Sequence, residues 1–245
     1  MSDWEIIDTG FQSAEENMRF DGQLLEKAET FSRPILHFYE WAGESATYGY
    51  FTDPSKLINL DNARHLSLQL ARRPTGGGMV FHIWDMAFSV LVPATSPEFS
   101  SNTLENYSFV NRAVLGAVKE FFDPHPELVL TREDFRAWDP DCSHFCMAKP
   151  TKYDVMWNGR KVAGAAQRKT RKGFLHQGTI ALVTPPLEYL EQILLPGTKV
   201  QEAMVAHTCP LLEKSVTPLE MTHAKQRLRE LLATHLRGSS LTLRT

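Results

Sequence analysis

Hydrophobic residues recur at helical spacing in three long segments of the chain. The first segment follows Ser13, which forms a capping-box pair with a glutamate three residues later, and it predicts a helix over residues 14–27. Valine and alanine positions predict the longest internal helix over residues 102–122. A threonine, a proline and a glutamate in capping positions predict a carboxy-terminal helix at about 217–237, with Gly238 just beyond its last turn.

Runs rich in aromatic and β-branched residues predict strands between these helices. The predicted strands cover residues 34–41, 46–51, 67–72, 80–81, 86–92 and 173–183, and a short helix is predicted over residues 186–194. The pair Asn158-Gly159 suits a type I′ turn and predicts a hairpin over residues 153–164. Asp154 and Lys161 then lie on neighbouring antiparallel strands.

Composition and charge narrow the class of protein. Hydrophobic residues make up 42% and charged residues 22% of the 245 residues, as in ordinary globular domains. We find neither a repeat nor an interdomain linker, so we expect a single catalytic domain over residues 1–245. The net charge of −3 argues against a nucleic-acid-binding function. The first residues, Met1–Glu5, lack a basic region followed by an apolar run, and no segment has the length and apolarity of a membrane span, so we expect a cytoplasmic protein without a membrane partner.

The three cysteines are an odd number and are expected to be free thiols in the cytoplasm. Cys142, His144 and Cys146 lie close together, and His207 and Cys209 form a second pair. Their spacing fits no standard zinc knuckle, so we predict no metal site.

Residues 72–82 read Arg-Arg-Pro-Thr-Gly-Gly-Gly-Met-Val-Phe-His and combine features that a reactive site needs. Three glycines let a ligand approach backbone N–H groups, and two arginines can bind carboxylate or phosphate oxygens. The common phosphate-binding glycine patterns are absent, and a plain turn is the alternative interpretation. We predict a loop that binds an anion or an acyl group. Its candidate residues are Arg72, Arg73, Thr75, Gly76, Gly77, Gly78 and His82.

A second stretch, residues 159–179, contains motifs that point to one protein family more specifically than the glycines do. It contains Gly-Arg-Lys-Val-Ala-Gly-Ala-Ala-Gln-Arg and then His-Gln-Gly-Thr. Together with residues 72–82, these elements resemble three motifs of the biotin/lipoate protein ligase and lipoyl/octanoyl transferase family, in the same order. The resemblance implies that Lys161 is catalytic, and the small apolar residues around it support a buried lysine. The further binding residues that it implies are Asp154, Gly164, Ala165, His176, Gly178 and Thr179.

The resemblance also implies a fold and two possible reactions. The fold is the α/β domain shared with biotin ligases and class II synthetases, a mixed, largely antiparallel sheet flanked by helices. In the ligase branch, free lipoate or octanoate is activated with ATP and Mg²⁺. In the transferase branch, the acyl group arrives as a thioester on acyl carrier protein and passes through an enzyme cysteine without a cofactor.

Cys146 favours the transferase branch. It precedes Lys161 by fifteen residues in Cys-x-x-x-Pro-x-x-Tyr-Asp, which is similar to the cysteine-dependent octanoyltransferases of the family. Ligases usually carry Asn-Asp where this chain has Tyr153-Asp154, although Asp154 alone could still bind magnesium. For Cys146 and for His82 and His176, burial in the core is the alternative interpretation.

We therefore expect acyl transfer to a specific lysine of a lipoyl domain of a 2-oxoacid dehydrogenase or of the glycine-cleavage H protein. Octanoate and lipoate both fit as the acyl group. An ATP-dependent lipoate-protein ligase and a non-catalytic module that binds lipoyl domains are the alternatives. The transferase hypothesis requires the Cys146 thiol, the Lys161 ammonium and the N–H groups of residues 76–78 to converge around one carbonyl group.

Overall fold

Ten strands and six α-helices make up the described part of the chain, which the computed structural model gives as residues 3–122, 128–212 and 215–239. The strands are β1 (Glu5–Gln12), β2 (Ile35–Trp41), β3 (Ser45–Tyr48), β4 (Gln69–Arg72), β5 (Val80–His82), β6 (Asp85–Pro93), β7 (Leu128–Leu130), β8 (Val155–Trp157), β9 (Arg160–Lys169) and β10 (Gly173–Ala181). The helices are α1 (Ala14–Glu26), α2 (Leu60–His65), α3 (Thr103–Phe121), α4 (Leu187–Ile193), α5 (Val200–His207) and α6 (Pro218–Gly238).

Seven strands form the central sheet, in the order β1-β2-β6-β10-β9-β8-β7. Every neighbouring pair is antiparallel except β1 and β2. The remaining strands form a small sheet in the order β4-β3-β5. The expected fold class, an α/β domain with a mixed, largely antiparallel sheet flanked by helices, is confirmed.

The central strand β10 and its neighbour β6 are buried along their whole length because helices cover both faces of the sheet. On one face, α3 and α6 pack over a core that includes Phe88 and Phe174. On the other face, Leu24 and Leu25 of α1 pack against Leu175. Since side chains alternate along a strand, successive residues of β10 point to opposite faces of the sheet.

The predicted helices are confirmed within one or two residues. Ser13 caps α1 with the expected capping box, and Thr217 does the same for α6. Gly238 was expected beyond the last turn but is the final residue of α6, and the chain leaves the helix at Ser239.

The strand predicted over residues 46–51 is too long. It ends at Tyr48, because Gly49 lies against the backbone of Gly77, where a Cβ atom would come within 1.9 Å of the Gly77 carbonyl oxygen. Tyr50 and Phe51 lie instead in an exposed turn.

Four elements were not predicted, namely β1, β7, α2 and α5. Strand β1 reads Glu-Ile-Ile-Asp-Thr-Gly-Phe-Gln and has no fully buried residue, since it is an edge strand. Strand β7 has three residues and α2 has six, so neither is long enough for its period to be recognised.

The predicted hairpin is formed by β8 and β9. Asn158 and Gly159 both have positive φ, 48° and 74°, as a type I′ turn requires. The register shifts after the turn, because Met156 pairs with Lys161 whereas Val155 pairs with Ala163. Strand β9 therefore contains a bulge, with Val162 as the additional residue.

Within the described ranges, no helix combines the length and the apolar character needed to cross a membrane.

Candidate active site

A cavity lies between β9 and β10 of the central sheet and β3 and β5 of the small sheet. Eight of the sequence-predicted site residues line it. They are Arg73, His82, Cys146, Lys161, Gly164, Ala165, Gly178 and Thr179.

The triglycine loop, residues 75–78, is joined directly to the segment that carries Cys146. The backbone N–H of Met79 donates to the carbonyl of His144 at 2.6 Å, and the N–H of Cys146 donates to the carbonyl of Met79 at 3.0 Å. This contact needs glycine at position 78, because a Cβ atom there would lie 2.0 Å from the His144 carbonyl oxygen. Glycine at position 78 therefore allows the segment that carries Cys146 to pack directly against the triglycine loop.

The loop presents unused hydrogen-bond donors beside the thiol. Gly77 is exposed, and the position of a Cβ atom on it would lie 3.7 Å from Cys146 Sγ. Within the described residues, the N–H groups of Gly76, Gly77 and Gly78 donate no hydrogen bond. They are available to stabilise negative charge that develops on a nearby carbonyl oxygen.

Lys161 is buried, and its ammonium group contacts the backbone of Cys146. Its side chain is 3% exposed, and its Nζ lies 2.8 Å from the backbone carbonyl oxygen of Cys146 and 2.8 Å from Asp154 Oδ2. An ammonium group has three donors, so one remains for a ligand in the cavity. The bulge at Val162 occurs next to Lys161, and bulges commonly redirect side chains at active sites.

Asp154 is fully buried and acts as the partner of Lys161. Its Oδ2 also accepts hydrogen bonds from the N–H of Thr151 at 2.7 Å and from the Thr151 hydroxyl at 3.0 Å, and the Tyr107 hydroxyl lies 3.2 Å from Oδ1. Burial, and then the Asp154 charge, raise the pKa of Tyr107, so this hydroxyl stays protonated. Both carboxylate oxygens of Asp154 are thus engaged by donors of the protein itself.

Arg73 donates hydrogen bonds to the backbone of the triglycine loop. One guanidinium nitrogen donates to the carbonyl oxygens of Gly76 at 3.0 Å and Gly78 at 2.6 Å, and the other donates to the carbonyl and hydroxyl of Thr47. Burial lowers the pKa of Arg73, while negative charge on Cys146 counteracts this effect. Arg73 therefore places a buried cation close to Cys146.

His82 is fully occupied by hydrogen bonds. Its Nδ1 lies 2.7 Å from Asp85 Oδ2, and its Nε2 lies 2.8 Å from the Thr47 hydroxyl. Burial raises the pKa of Asp85, but the charge of His82 and hydrogen bonds lower it more, so the net shift is downward and Asp85 is ionised. His82 Nδ1 then donates to Asp85, and the Thr47 hydroxyl that lies at Nε2 also accepts from Arg73. These bonds make His82 a positioning residue with no free ring nitrogen for proton transfer.

Two of the predicted site residues, His176 and Arg72, face away from the cavity. His176 is buried on the α3 side of the sheet, with its ring 5.1 Å from that of Tyr107, and burial lowers its pKa to about 3. Arg72 is exposed, and its guanidinium carbon lies 4.9 Å from the centroid of the Tyr50 ring.

A buried chain of hydrogen bonds supports the loop and was not foreseen. The Thr75 hydroxyl donates to Gln177 Oε1 at 2.7 Å, and Gln177 Nε2 donates to Asp21 Oδ2 at 2.6 Å. Asp21 Oδ1 accepts from Ser89 and lies 2.9 Å from His37 Nδ1. The sequence signal was a lone aspartate on the apolar face of the first predicted helix, three residues after Met18, which also lines the cavity.

In the described part of the chain, no group of three or more His, Cys, Asp or Glu side chains could hold a metal ion. The candidates Cys142, Cys146 and Cys209 are free thiols. Burial raises the pKa of Cys142 to about 11 and also raises that of Cys209, so these two thiols stay protonated near neutral pH.

Comparison with curated proteins finds octanoyltransferases among the relatives of this chain. The chain is 28% identical to the octanoyltransferase LipM of Halalkalibacterium halodurans, over 94% of this chain and 86% of the relative. It is 29% identical to the LipM of Bacillus subtilis, over 93% and 84%, and 31% identical to the LipM of Lysinibacillus sphaericus, over 74% and 67%.

Solved structures share the fold at lower sequence identity. A lipoate-protein ligase A bound with ATP superposes with a TM-score of 0.65 at 19% identity, covering 97% of this chain and 93% of the other. A putative lipoate protein ligase from T. acidophilum with bound lipoic acid gives 0.66 at 20% identity, covering 96% and 94%. The lipoyl protein ligase A/B catalytic domain matches residues 13–233, so the chain belongs to that family.

Proposed function

We propose that the chain is an acyltransferase of protein lipoylation that moves an octanoyl group onto a lysine through a thioester at Cys146. The donor is octanoyl-acyl carrier protein, and the acceptor is a lipoyl domain of a 2-oxoacid dehydrogenase or the glycine-cleavage H protein. The octanoyltransferases among its relatives support this proposal over a ligase. The reaction needs no cofactor, because the donor thioester is already activated.

The observation that supports the proposal is the position of Cys146 beside the triglycine loop, Arg73 and Lys161. Sγ lies 3.7 Å from the Cβ position of Gly77, whose loop carries the unused N–H groups, and the Lys161 ammonium lies 2.8 Å from the Cys146 carbonyl oxygen with one donor left over. Arg73 supplies a buried positive charge beside the thiolate. A thiolate next to donors that lack acceptors is the arrangement that acyl transfer requires.

In the first half-reaction, the Cys146 thiolate attacks the carbonyl carbon of the donor thioester. A bond forms between Sγ and the acyl carbon, the bond to the carrier sulfur breaks, and the carrier leaves as a thiolate that takes a proton. The N–H groups of the triglycine loop and Lys161 stabilise the oxyanion. One thioester replaces another, so the step is close to thermoneutral.

In the second half-reaction, the neutral amine of the acceptor lysine attacks the same carbonyl carbon. An amide bond forms, the bond to Sγ breaks, and the thiolate returns to the charge of Arg73, while the amine proton is released. The amide is more stable than the thioester, so this step drives the overall reaction.

Intact mass measurement after mixing the protein with octanoyl-carrier protein tests the proposal. We expect one octanoyl adduct that hydroxylamine removes and that fragmentation places on Cys146, because it alone of the three cysteines lines the cavity. An adduct on Cys142 or Cys209, or an enzyme that transfers octanoate without any adduct, would contradict it.

ATP-dependent lipoate-protein ligation is the second candidate, favoured by the fold shared with ATP-binding and lipoate-binding ligases. Lys161 would then face the phosphate of the activated acid. Pyrophosphate release from ATP and free lipoate would support this candidate, and its absence would remove it. If both assays were negative while a lipoyl domain still bound, the chain would be a binding module.

The position of Lys161 depends on Gly164, and Gly164→Ala tests this dependence. The added methyl group would lie 2.1 Å from Lys161 Cε and 2.4 Å from Nζ, so the ammonium must move away from Asp154. We expect kcat for octanoyl transfer to fall about 10²-fold, as misplaced catalytic groups generally cause. The matched control is Gly22→Ala in α1, where the methyl group meets only Pro74 Cβ at 4.0 Å and full activity is expected. A wild-type rate in Gly164→Ala would argue against a catalytic Lys161.

A further inference from the structure

Exposed aromatic rings and arginines lie together beside the triglycine loop. We call Tyr50, Phe51, Arg72 and Arg168 the rim patch. Phe51 is 93% exposed and Tyr50 is 43% exposed, with their ring centroids 5.1 Å apart. The guanidinium carbons of Arg72 and Arg168 lie 4.9 Å and 5.4 Å from the centre of the Tyr50 ring. An apolar side chain exposed to this extent at a site entrance indicates a contact surface.

The rim patch carries uncompensated positive charge. Among the described residues, neither Arg72 nor Arg168 lies within ion-pair distance of a carboxylate, whereas Arg33, Arg64 and Arg229 do. Arg168 donates one hydrogen bond to the carbonyl of Pro74 at 3.2 Å, and no other described residue accepts a hydrogen bond from its guanidinium. The patch therefore complements an acidic surface.

The rim patch is also connected to the reaction centre. The N–H of Tyr50 donates to the carbonyl of Thr75 at 2.9 Å, and the Thr52 hydroxyl donates to the carbonyl of Gly77 at 3.0 Å. Gly77 in turn borders Cys146 Sγ. Phe51 thus lies between two residues that hydrogen-bond to the loop beside the thiol.

The two protein substrates differ in how closely they must approach this rim. A lysine ammonium is separated from its Cα by four methylene groups, which span only about 6 Å. The backbone that carries the acceptor lysine must therefore touch the residues around Gly77. A carrier protein holds its acyl group on a long flexible prosthetic arm, so its body can remain away from the rim.

We infer that the rim patch docks the acidic surface around the acceptor lysine of a lipoyl-type domain. Phe51 is the apolar anchor, and Arg72 and Arg168 select for acidic residues next to the lysine. The inference rests on the proposed function and adds a surface that discriminates the acceptor from the donor.

Separate measurement of the two half-reactions tests this inference. Wild-type protein, Phe51→Ser and Arg168→Glu are loaded at Cys146 with octanoyl-pantetheine, a small donor, and then mixed with an apo lipoyl domain. We expect the second-order rate constant for transfer to fall about tenfold or more in each variant, as for an interface anchor and a steering charge. Loading from octanoyl-carrier protein and discharge by hydroxylamine should keep their wild-type rates.

Matched controls come from other surfaces of the same chain. Phe11→Ser removes a phenylalanine that is 76% exposed on β1, and Arg64→Glu reverses an exposed charge on α2. Both controls should transfer like the wild type. Raising the salt concentration should slow transfer to the lipoyl domain in the wild type and have less effect in Arg168→Glu.

Two results would overturn the inference. Either transfer to the lipoyl domain is unchanged in both variants, or the defect appears only in loading from the carrier protein, which would make the patch a donor surface. If the wild type fails to load at all, the proposed function has failed, and titration of labelled apo lipoyl domain decides the docking separately. Weaker binding to Phe51→Ser and Arg168→Glu than to the controls supports it, and equal binding refutes it.

Discussion

Cys146→Ala is expected to transfer octanoate at least ~10³-fold more slowly than the wild type, because the atom that accepts the acyl group is missing. The triglycine N–H groups and Lys161 remain, so a small rate from direct attack by the acceptor lysine should persist. The Cys146 side chain is only partly buried, so thermal unfolding should change little. Transfer to an apo lipoyl domain is measured by mass spectrometry alongside the melting temperature.

Cys142→Ala is the matched control for this prediction. Cys142 lies four residues away but is fully buried among apolar residues, and burial raises the pKa of its thiol to about 11. We expect the opposite pattern, a stability loss of about 1 kcal/mol and a wild-type transfer rate. If Cys146→Ala transferred octanoate normally while Cys142→Ala were inactive, this result would falsify the assignment of Cys146 as the nucleophile.

Lys161→Met is expected to lower kcat by about 10³-fold, because it removes a charged donor from the oxyanion and leaves only the backbone N–H groups. The same change leaves Asp154 as a buried carboxylate without its counter-ion. Loss of one partner from a buried pair destabilises the fold, here by about 3 kcal/mol because Thr151 and Tyr107 still donate. Steady-state kinetics and urea unfolding measure the two effects on the same sample.

The double variant Lys161→Met with Asp154→Asn separates chemistry from stability. Removing both charges should restore most of the lost stability, since the uncompensated carboxylate is gone. Activity should stay as low as in the single variant. Recovery of activity together with stability would show that Lys161 is only structural.

Much of the site could be predicted because its motifs are local. The backbone of residues 76–78 and the Asn158-Gly159 turn depend on glycine geometry that a short stretch determines on its own. In the structure, Cys146 lies beside Gly77, and Lys161 bonds to the Cys146 carbonyl rather than to its sulfur. The chemical roles of these residues remain predictions for the variants above.

Residues joined over long distances in sequence could not be predicted in the same way. Gln177 is 156 residues from Asp21 and 102 from Thr75, and Thr179 is 94 from Asp85. Nothing in the local pattern of either partner identifies the other.

The position of His176 shows a second limit. Strand β10 is buried on both faces, so its sequence has no polar and apolar alternation to show which side each residue takes. A shift of one position exchanges the faces, and His176 points to α3 while its neighbour Gln177 points to the cavity.

The hydrogen bonds from Thr75 through Gln177 to Asp21 and His37 connect the triglycine loop to helix α1. None of these groups takes part in bond making or breaking. Because they form one continuous path, any local opening that lifts α1 from the sheet also frees the loop beside the thiol. Docking of α1 on the sheet thus keeps the loop in place between turnovers. Molecules in which α1 has detached are expected to lose activity before the rest of the fold unfolds.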